Sequence, residues 1–228
     1  MQNRYDKCPN CMQALGQGED VCPYCGFDVS GYEEKPNCLR PFTVLQGKYM
    51  IGRVIGMGGF GITYIGWDLN LQTYIAIKEY YPTAFLNRIP GENSVRIYDK
   101  KNLEAFEKGK KEFLEEARNL AKFNSHPNIV HVFDFFEENG TAYFVMEYLD
   151  GISLEQYFRE KGQMDAKTLF QLLWPLMKTL DKIHKRGIIH RDISPDNIRI
   201  STNENGIFQA ELIDFGSARD LSLIHISE

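Results

Sequence analysis

The chain has 228 residues, enough for one substantial domain and a small one, and its 43% hydrophobic and 25% charged residues are typical of a soluble globular protein. The net charge of −5, without a long basic run, gives no reason to expect nucleic-acid binding. No run of about 18 apolar residues is present, and the polar N-terminus lacks a signal-peptide core, so we expect no membrane segment within this chain and a cytoplasmic location.

Four of the five cysteines form two C-x-x-C pairs, Cys8 with Cys11 and Cys22 with Cys25. Each pair predicts a tight turn that directs two thiolates at one ion, and in a reducing compartment this doubled spacing favours a metal over disulfides. A closed four-sulfur site suits Zn²⁺ and is structural rather than catalytic. Residues 1–30 therefore resemble a zinc ribbon, with a protein partner as a further expectation. A redox dithiol and two fortuitous pairs are the alternatives.

Residues 31–46 are predicted to be a linker, and an alternating strand pattern begins near Tyr49. The strand leads into a glycine-rich turn with the spacing G-x-G-x-x-G, and a second strand runs from Ile62 to Trp67. Glycines at this spacing let the backbone close over phosphates without a Cβ in the way. A strand on both sides favours a hairpin over the strand-to-helix turn of dinucleotide-binding folds.

The next segments are a short apolar strand that ends in Lys78 and an insertion, residues 79–102, predicted to be irregular. A helix follows, because apolar residues from Phe106 to Ala121 recur at three- and four-residue spacing. Farther along the chain the patterns predict a strand from Ala142 to Tyr148. They also predict two helices, with N-caps at Ser153 and Asp165.

Two polar motifs follow apolar runs near the end of the sequence. The first is the eight-residue stretch from His190 to Asn197, which contains Asp192, and the second is Asp214-Phe215-Gly216. Together they offer one carboxylate to accept a proton, and one amide and one carboxylate to hold a metal ion. This combination is what phosphoryl transfer from a nucleotide needs.

These motifs, in this order, resemble the signature set of the protein kinases, over roughly residues 47–219. The resemblance implies an α+β, bilobal fold with an antiparallel N-lobe sheet and a helix, followed by a partial helical C-lobe. We place the kinase domain at residues 47–220. The sequence stops soon after Gly216, so the C-lobe is predicted to be incomplete, and residues 221–228 are predicted to be a non-native tail.

The resemblance assigns roles to individual residues. Asp192 would accept the proton of the substrate hydroxyl, and Asn197 and Asp214 would hold Mg²⁺. Lys78, paired with Glu116, would position the phosphates of ATP; we choose Glu116 over Glu115 because Ala117 follows it, as in the family's Glu-Ala pair. The remaining residues expected to contact ATP are Ile55, Gly56, Gly58, Gly59, Gly61, Thr63, Ala76, Met146 as gatekeeper, Glu147 and Leu149.

Ser194 departs from the family pattern, since serine/threonine kinases have a lysine two residues after the catalytic aspartate. The variant resembles a group of bacterial kinases. Arg191 suggests control by a phosphorylated activation loop. The resemblance implies a protein kinase that acts on serine and threonine hydroxyls of protein substrates. Two alternatives stay open: a nucleotide-binding pseudokinase that serves as an interaction module, and a small-molecule phosphotransferase of kinase-like fold.

Overall fold

The computed structural model describes residues 6–16, 18–186, 188–190, 192–202, 208–213 and 219–220. The chain divides into two units: Met1–Leu114 with Phe133–Tyr148, and Glu115–Val132 with Leu149–Glu228. Among the described residues, none of the helices has both the length and the apolar character that a bilayer crossing needs.

The first unit is built on a six-stranded sheet. Its strands are β1 (Val44–Leu45), β2 (Tyr49–Met57), β3 (Gly61–Asp68), β4 (Thr73–Tyr80), β7 (Val132–Glu138) and β8 (Thr141–Glu147). Their order in the sheet is β1-β2-β3-β4-β8-β7. The pairings along β1 to β4 and between β4 and β8 are antiparallel, as predicted. Every residue of β8 from Thr141 to Met146 is buried, which places this strand at the centre of the unit's core.

The insertion at residues 79–102 is more ordered than the sequence pattern predicts. It forms a hairpin of β5 (Leu86–Arg88) and β6 (Val95–Ile97), followed by a short 3-10 helix, Lys100–Asn102. The prediction of an irregular segment was wrong here because each strand is only three residues long. Such a strand gives too few positions for an alternating pattern to show.

Helix α1 (Leu103–Ala121) follows the hairpin, as its apolar spacing predicts. In the first unit its Phe113 packs against Tyr80 and Phe144, with ring centroids 5.6 and 5.0 Å away. The stretch predicted to be a linker also contributes to this unit, since Leu39 and Leu45 are buried and β1 pairs with β2.

The second unit contains two capped helices and a small sheet. Ser153 and Asp165 cap α2 (Leu154–Lys161) and α3 (Ala166–His184) by accepting hydrogen bonds from Gln156 and Thr168, so both predicted caps are confirmed. The sheet has the order β12-β11-β9, with β9 (Ile152–Ser153), β11 (Ile198–Thr202) and β12 (Phe208–Leu212). Separately, β10 (Ile188–Ile189) pairs with β13 (Arg219–Asp220).

Candidate functional site

The glycine-rich turn joins β2 to β3 as a closed hairpin. Gly56 pairs with Thr63, and the Gly58 amide donates to the Gly61 carbonyl at 3.0 Å. No heavy atom beyond the adjacent residues lies within 4 Å of where a Cβ on Gly58 or Gly59 would stand, so this backbone is open to a ligand. At Gly61 the opposite holds, because a Cβ would lie 2.8 Å from the carbonyl oxygen of Glu79.

The predicted nucleotide residues of the sheet share one face. Thr63 of β3 pairs with Lys78 of β4, and Ala76 of β4 pairs with Met146 of β8. Directly opposed residues, and residues two apart on a strand, point to the same side of a sheet. The structure therefore brings these four side chains to the same face as Gly56. Lys78 Nζ stands 5.5 Å from the ring centroid of Phe144.

The remaining predicted residues of this unit lie nearby on the same strands. Ile55 sits between the paired Val54 and Gly56 and is partly exposed, and Glu147 pairs with Ile75. Phe60, at the tip of the glycine-rich turn, is 82% exposed, while its carbonyl accepts a 3.0 Å hydrogen bond from the Tyr81 amide. The turn is thus tied by its main chain and presents one aromatic side chain to solvent.

The other face of β4 carries a buried ion pair that the sequence analysis missed. Glu79 and Arg88 are within hydrogen-bond distance of each other, with side chains 0% and 2% exposed. The hydroxyls of Tyr64 and Tyr143 donate to Glu79 at 2.8 and 2.9 Å. Burial lowers the pKa of Arg88, but the charge of Glu79 outweighs burial and raises it. A glutamate next to Lys78 in a strand of mainly apolar and aromatic residues was the one signal available.

The two adjacent glutamates of α1 differ in burial. Glu115 is exposed, whereas Glu116 is half-buried and its Oε1 atom is fully buried. The burial of Glu116 agrees with its choice over Glu115 as the functional carboxylate. Its pairing with Lys78 stays a prediction.

In the second unit, hydrogen bonds hold Asp192 in one place. Its amide donates to Nδ1 of the fully buried His190 at 3.2 Å. The Nδ2 atom of Asn197 donates to the carbonyl oxygen and to Oδ2 of Asp192, both at 3.0 Å. Because the amide nitrogen of Asn197 is used in this way, its oxygen is the atom that can serve a metal ion.

The main chain around Asn197 orders the rest of this loop. The Asn197 amide donates to the Ser194 carbonyl at 3.1 Å, and Ile213 donates its amide to the Asn197 carbonyl at 3.0 Å. Ile213 directly precedes Asp214 in the sequence; Asp214 and Arg191 themselves lie outside the described residues. Leu149, the last predicted nucleotide residue, accepts a 3.2 Å hydrogen bond at its carbonyl from Arg199.

The four N-terminal cysteines converge on one point. Their sulfur atoms all lie within 4.8 Å of one another, with 3.7 Å between Cys8 and Cys25 and 3.6 Å between Cys11 and Cys22. These distances are too long for disulfides. They match the edges of about 3.8 Å that a tetrahedron with metal–sulfur bonds of about 2.3 Å would have. The donor set therefore fits one tetrahedral metal ion.

The thiols of this cluster differ in acidity. Burial raises the pKa of Cys8 and of Cys11. Burial also opposes ionisation of Cys25, but the hydrogen bond from Asn10 Nδ2, at 3.3 Å, helps to lower its pKa to about 7. Of these three sulfurs, Cys25 is thus the one that ionises most readily.

Comparison with known proteins agrees with this geometry. A model of the protein kinase domain matches residues 49–225. Serine/threonine-protein kinase B of Synechocystis sp. is 30% identical over 216 residues, which cover 93% of this chain and 32% of that protein. Serine/threonine-protein kinase PrkC of Bacillus subtilis is 32% identical over 178 residues, which cover 78% of this chain and 24% of that protein.

A solved structure described as "PpkA-294 apo form" is 38% identical and superposes with a TM-score of 0.72, over 79% of this chain and 62% of that one. The chain spans 32% and 24% of the lengths of the two curated relatives above, so they contain much that has no counterpart here. The family match extends over most of the chain and includes both the glycine-rich hairpin and the Asp192 loop. The chain therefore belongs to the protein kinase family and is similar to its bacterial serine/threonine members.

Proposed function

We propose that this chain carries the catalytic parts of an ATP-dependent protein kinase that phosphorylates serine and threonine hydroxyls of protein substrates. The observation that carries the proposal is the Asp192–Asn197 pair, in which the amide holds the carboxylate at 3.0 Å. A carboxylate fixed in this way is suited to orient a hydroxyl and accept its proton. The names of the curated relatives support the same activity.

In this reaction the substrate hydroxyl oxygen forms a bond to the γ-phosphorus of ATP, and the bond to the bridging β,γ-oxygen breaks. ADP leaves, and the hydroxyl proton passes to a carboxylate oxygen of Asp192. Lys78 would bind the α- and β-phosphates, with Glu116 fixing the amine. Asn197 and Asp214 would hold Mg²⁺, which supplies neutralisation of phosphate charge when it is bound.

The adenine and phosphates would lie against the shared face of the sheet. Ala76 and Met146 offer apolar contacts there, and the open backbone at Gly58 and Gly59 can approach phosphate oxygens. Glu147 and Leu149 would offer main-chain groups to the base. Ser194, in the position of the usual lysine, can give only a neutral hydrogen bond, so we expect slower turnover than a lysine would allow.

The test is Asp192→Asn in the protein that contains this chain. We expect phosphate transfer from Mg·ATP to fall by about two to four orders of magnitude, because the proton acceptor is lost. Nucleotide affinity should stay within a few-fold. The matched control is Asp196→Asn, an exposed carboxylate of the same loop, which should leave turnover unchanged. Unchanged turnover in Asp192→Asn would contradict the mechanism.

We also propose that residues 1–30 form a zinc ribbon that binds one Zn²⁺ through Cys8, Cys11, Cys22 and Cys25. Residues 6–30 of it are called the four-cysteine segment below. The proposal rests on the tetrahedral spacing of the four sulfurs. Four cysteine ligands leave no open position, so the metal would be structural. Metal analysis of freshly purified, reduced protein should find one zinc per chain, and finding no metal would refute the site.

A further inference from the structure

The four-cysteine segment is bonded to β2 just before the glycine-rich turn. Ile51 pairs with Gly66 and Val54 pairs with Tyr64, so β2 has one more residue than β3 between these pairs. Such a bulge turns a backbone group out of the ladder. The amide of Arg53 lies in this bulge and donates at 2.8 Å to the carbonyl of Pro9, between the first two cysteines.

The side chain of Arg53 extends this connection to the sulfur cluster. Its Nε atom donates to Oδ1 of Asn10, and its Nη1 atom donates to the Val54 carbonyl at 3.2 Å. The other end of the Asn10 amide, Nδ2, donates to Cys25 Sγ at 3.3 Å. A continuous chain of hydrogen bonds therefore runs from Cys25 through Asn10 and Arg53 to the strand.

Close packing leaves little freedom at the same point. A Cβ on Gly52 would lie 2.6 Å from Sδ of Met12, which is fully buried. On either side, Lys7 Nζ lies 4.5 Å from the centroid of the Trp67 ring, and Gln13 donates to the Tyr74 hydroxyl at 2.5 Å. The segment thus contacts β2, β3 and β4 and packs directly against the sheet.

A second register shift in β2 follows, between Val54 and Gly56. Arg53 bonds the carbonyl of Val54, which lies between the two shifts, so its guanidinium restrains the direction in which the strand enters the turn. Metal binding would fix the position of Cys25, and through Asn10 it would fix Arg53. Without metal, the four sulfurs would no longer be held by a common ion, and this restraint would weaken.

We propose that Arg53 is a positioning residue that couples metal occupancy of the four-cysteine segment to nucleotide binding at the glycine-rich turn. The proposal rests on the nucleotide site and zinc site proposed above. Zinc-loaded protein binds Mg·ATP more tightly than zinc-free protein. By linkage, nucleotide tightens zinc binding by the same factor, and such couplings are typically about 5- to 150-fold.

The experiment compares the affinity of the chain for a non-hydrolysable ATP analogue with Mg²⁺, by calorimetry, before and after removal of zinc with a chelator. We expect the zinc-free protein to bind at least about fivefold more weakly. Equal affinities would overturn the inference and leave the proposed kinase function intact. Failure of both forms to bind the analogue would instead contradict the proposed nucleotide site.

Two variants test the route of the coupling. Arg53→Ala and Asn10→Ala should each keep one zinc per chain, because neither residue is a ligand, and should remove the difference in affinity between the two forms. The matched control is Arg96→Ala, since Arg96 pairs with Glu92 on the exposed hairpin of the same unit. It should keep the full difference. A full difference in both test variants would show that Arg53 is not the connection.

Discussion

The four-cysteine segment and the six-stranded sheet belong to one unit but are stabilised in different ways. The segment's small core contains Cys8, Cys22 and Val29, with Cys11, Leu15 and Phe27 packed against it. Three of these six residues are metal-ligand candidates. The sheet buries large apolar side chains along its strands, and the charged pair of Glu79 in β4 and Arg88 in β5 is buried as well. The contrast teaches that the segment would depend on the metal ion proposed for it, whereas the sheet depends on packing and on satisfied polar groups.

The largest expected effect comes from Cys22→Ser, which removes one buried sulfur of the proposed zinc site. Structural zinc sites of this kind contribute about 10–16 kcal/mol of apparent binding free energy, which here would be folding free energy of the segment. We expect loss of stoichiometric zinc and loss of amide-exchange protection in residues 6–30. Residues 49–80 should keep most of theirs. Protection of residues 6–30 that equals the wild type would contradict this account.

A smaller effect should follow from Arg88→Ala in the β5–β6 hairpin. The change leaves Glu79 buried beside two tyrosines without its cation, and breaking a buried ion pair costs about 3–5 kcal/mol. Chemical denaturation should report this loss while zinc content stays unchanged. Arg96→Ala in the same hairpin removes an exposed ion pair, so it should cost less than about 1 kcal/mol. Equal losses of unfolding free energy in the two variants would mean that burial does not make the Glu79–Arg88 pair more stabilising than the exposed pair.

The smallest effect concerns the half-exposed ion pair of Lys48 and Asp134. Burial raises the pKa of Asp134, but hydrogen bonds from Lys48 Nζ, at 2.7 Å, and the Tyr49 hydroxyl, at 2.8 Å, outweigh it and lower the pKa. A carboxyl group whose pKa is lower in the folded state than its unfolded value of about 3.9 stabilises the fold at every pH above that value. This stabilisation is lost as the pH falls through the lowered pKa of the folded state.

Asp134→Asn should therefore cost less than about 1 kcal/mol at pH 7. The difference from the wild type should shrink as the pH falls below about 4. Denaturation midpoints measured across that range check the sign. A difference in stability between wild type and variant that grows in acid would contradict the assignment of a lowered pKa to Asp134. The small, pH-dependent contribution of this pair contrasts with that of the fully buried Glu79–Arg88 pair.

The sequence predicts the parts of the molecule whose signal is local. The glycine-rich hairpin, the strand of Lys78, both helix caps and the Asp192–Asn197 loop each lie within a few consecutive residues, so their patterns are visible without the fold. The face shared by Thr63, Lys78, Ala76 and Met146 also follows once the strands are paired in register.

The missed features depend on residues distant in sequence. Arg88 lies in an insertion and Glu79 in a strand, and each alone is consistent with a surface charge. The contact of Arg53 with Pro9 and Asn10 depends on a bulge that no spacing rule reveals. The domain boundaries, including the predicted linker and the tail at residues 221–228, and the pairing of Lys78 with Glu116 stay predictions.

The absence of a side chain at Gly52 has a consequence for protein engineering. Met12 Sδ and Ile65 Cγ2 lie 2.6 and 2.8 Å from where a Cβ would stand, so the four-cysteine segment grafted onto a kinase with another residue at that position would have to shift. A chimera that keeps these contacts would transfer the four-cysteine segment together with Gly52 and Arg53. The unit to transfer is thus the four-cysteine segment plus two residues of a strand some forty positions downstream.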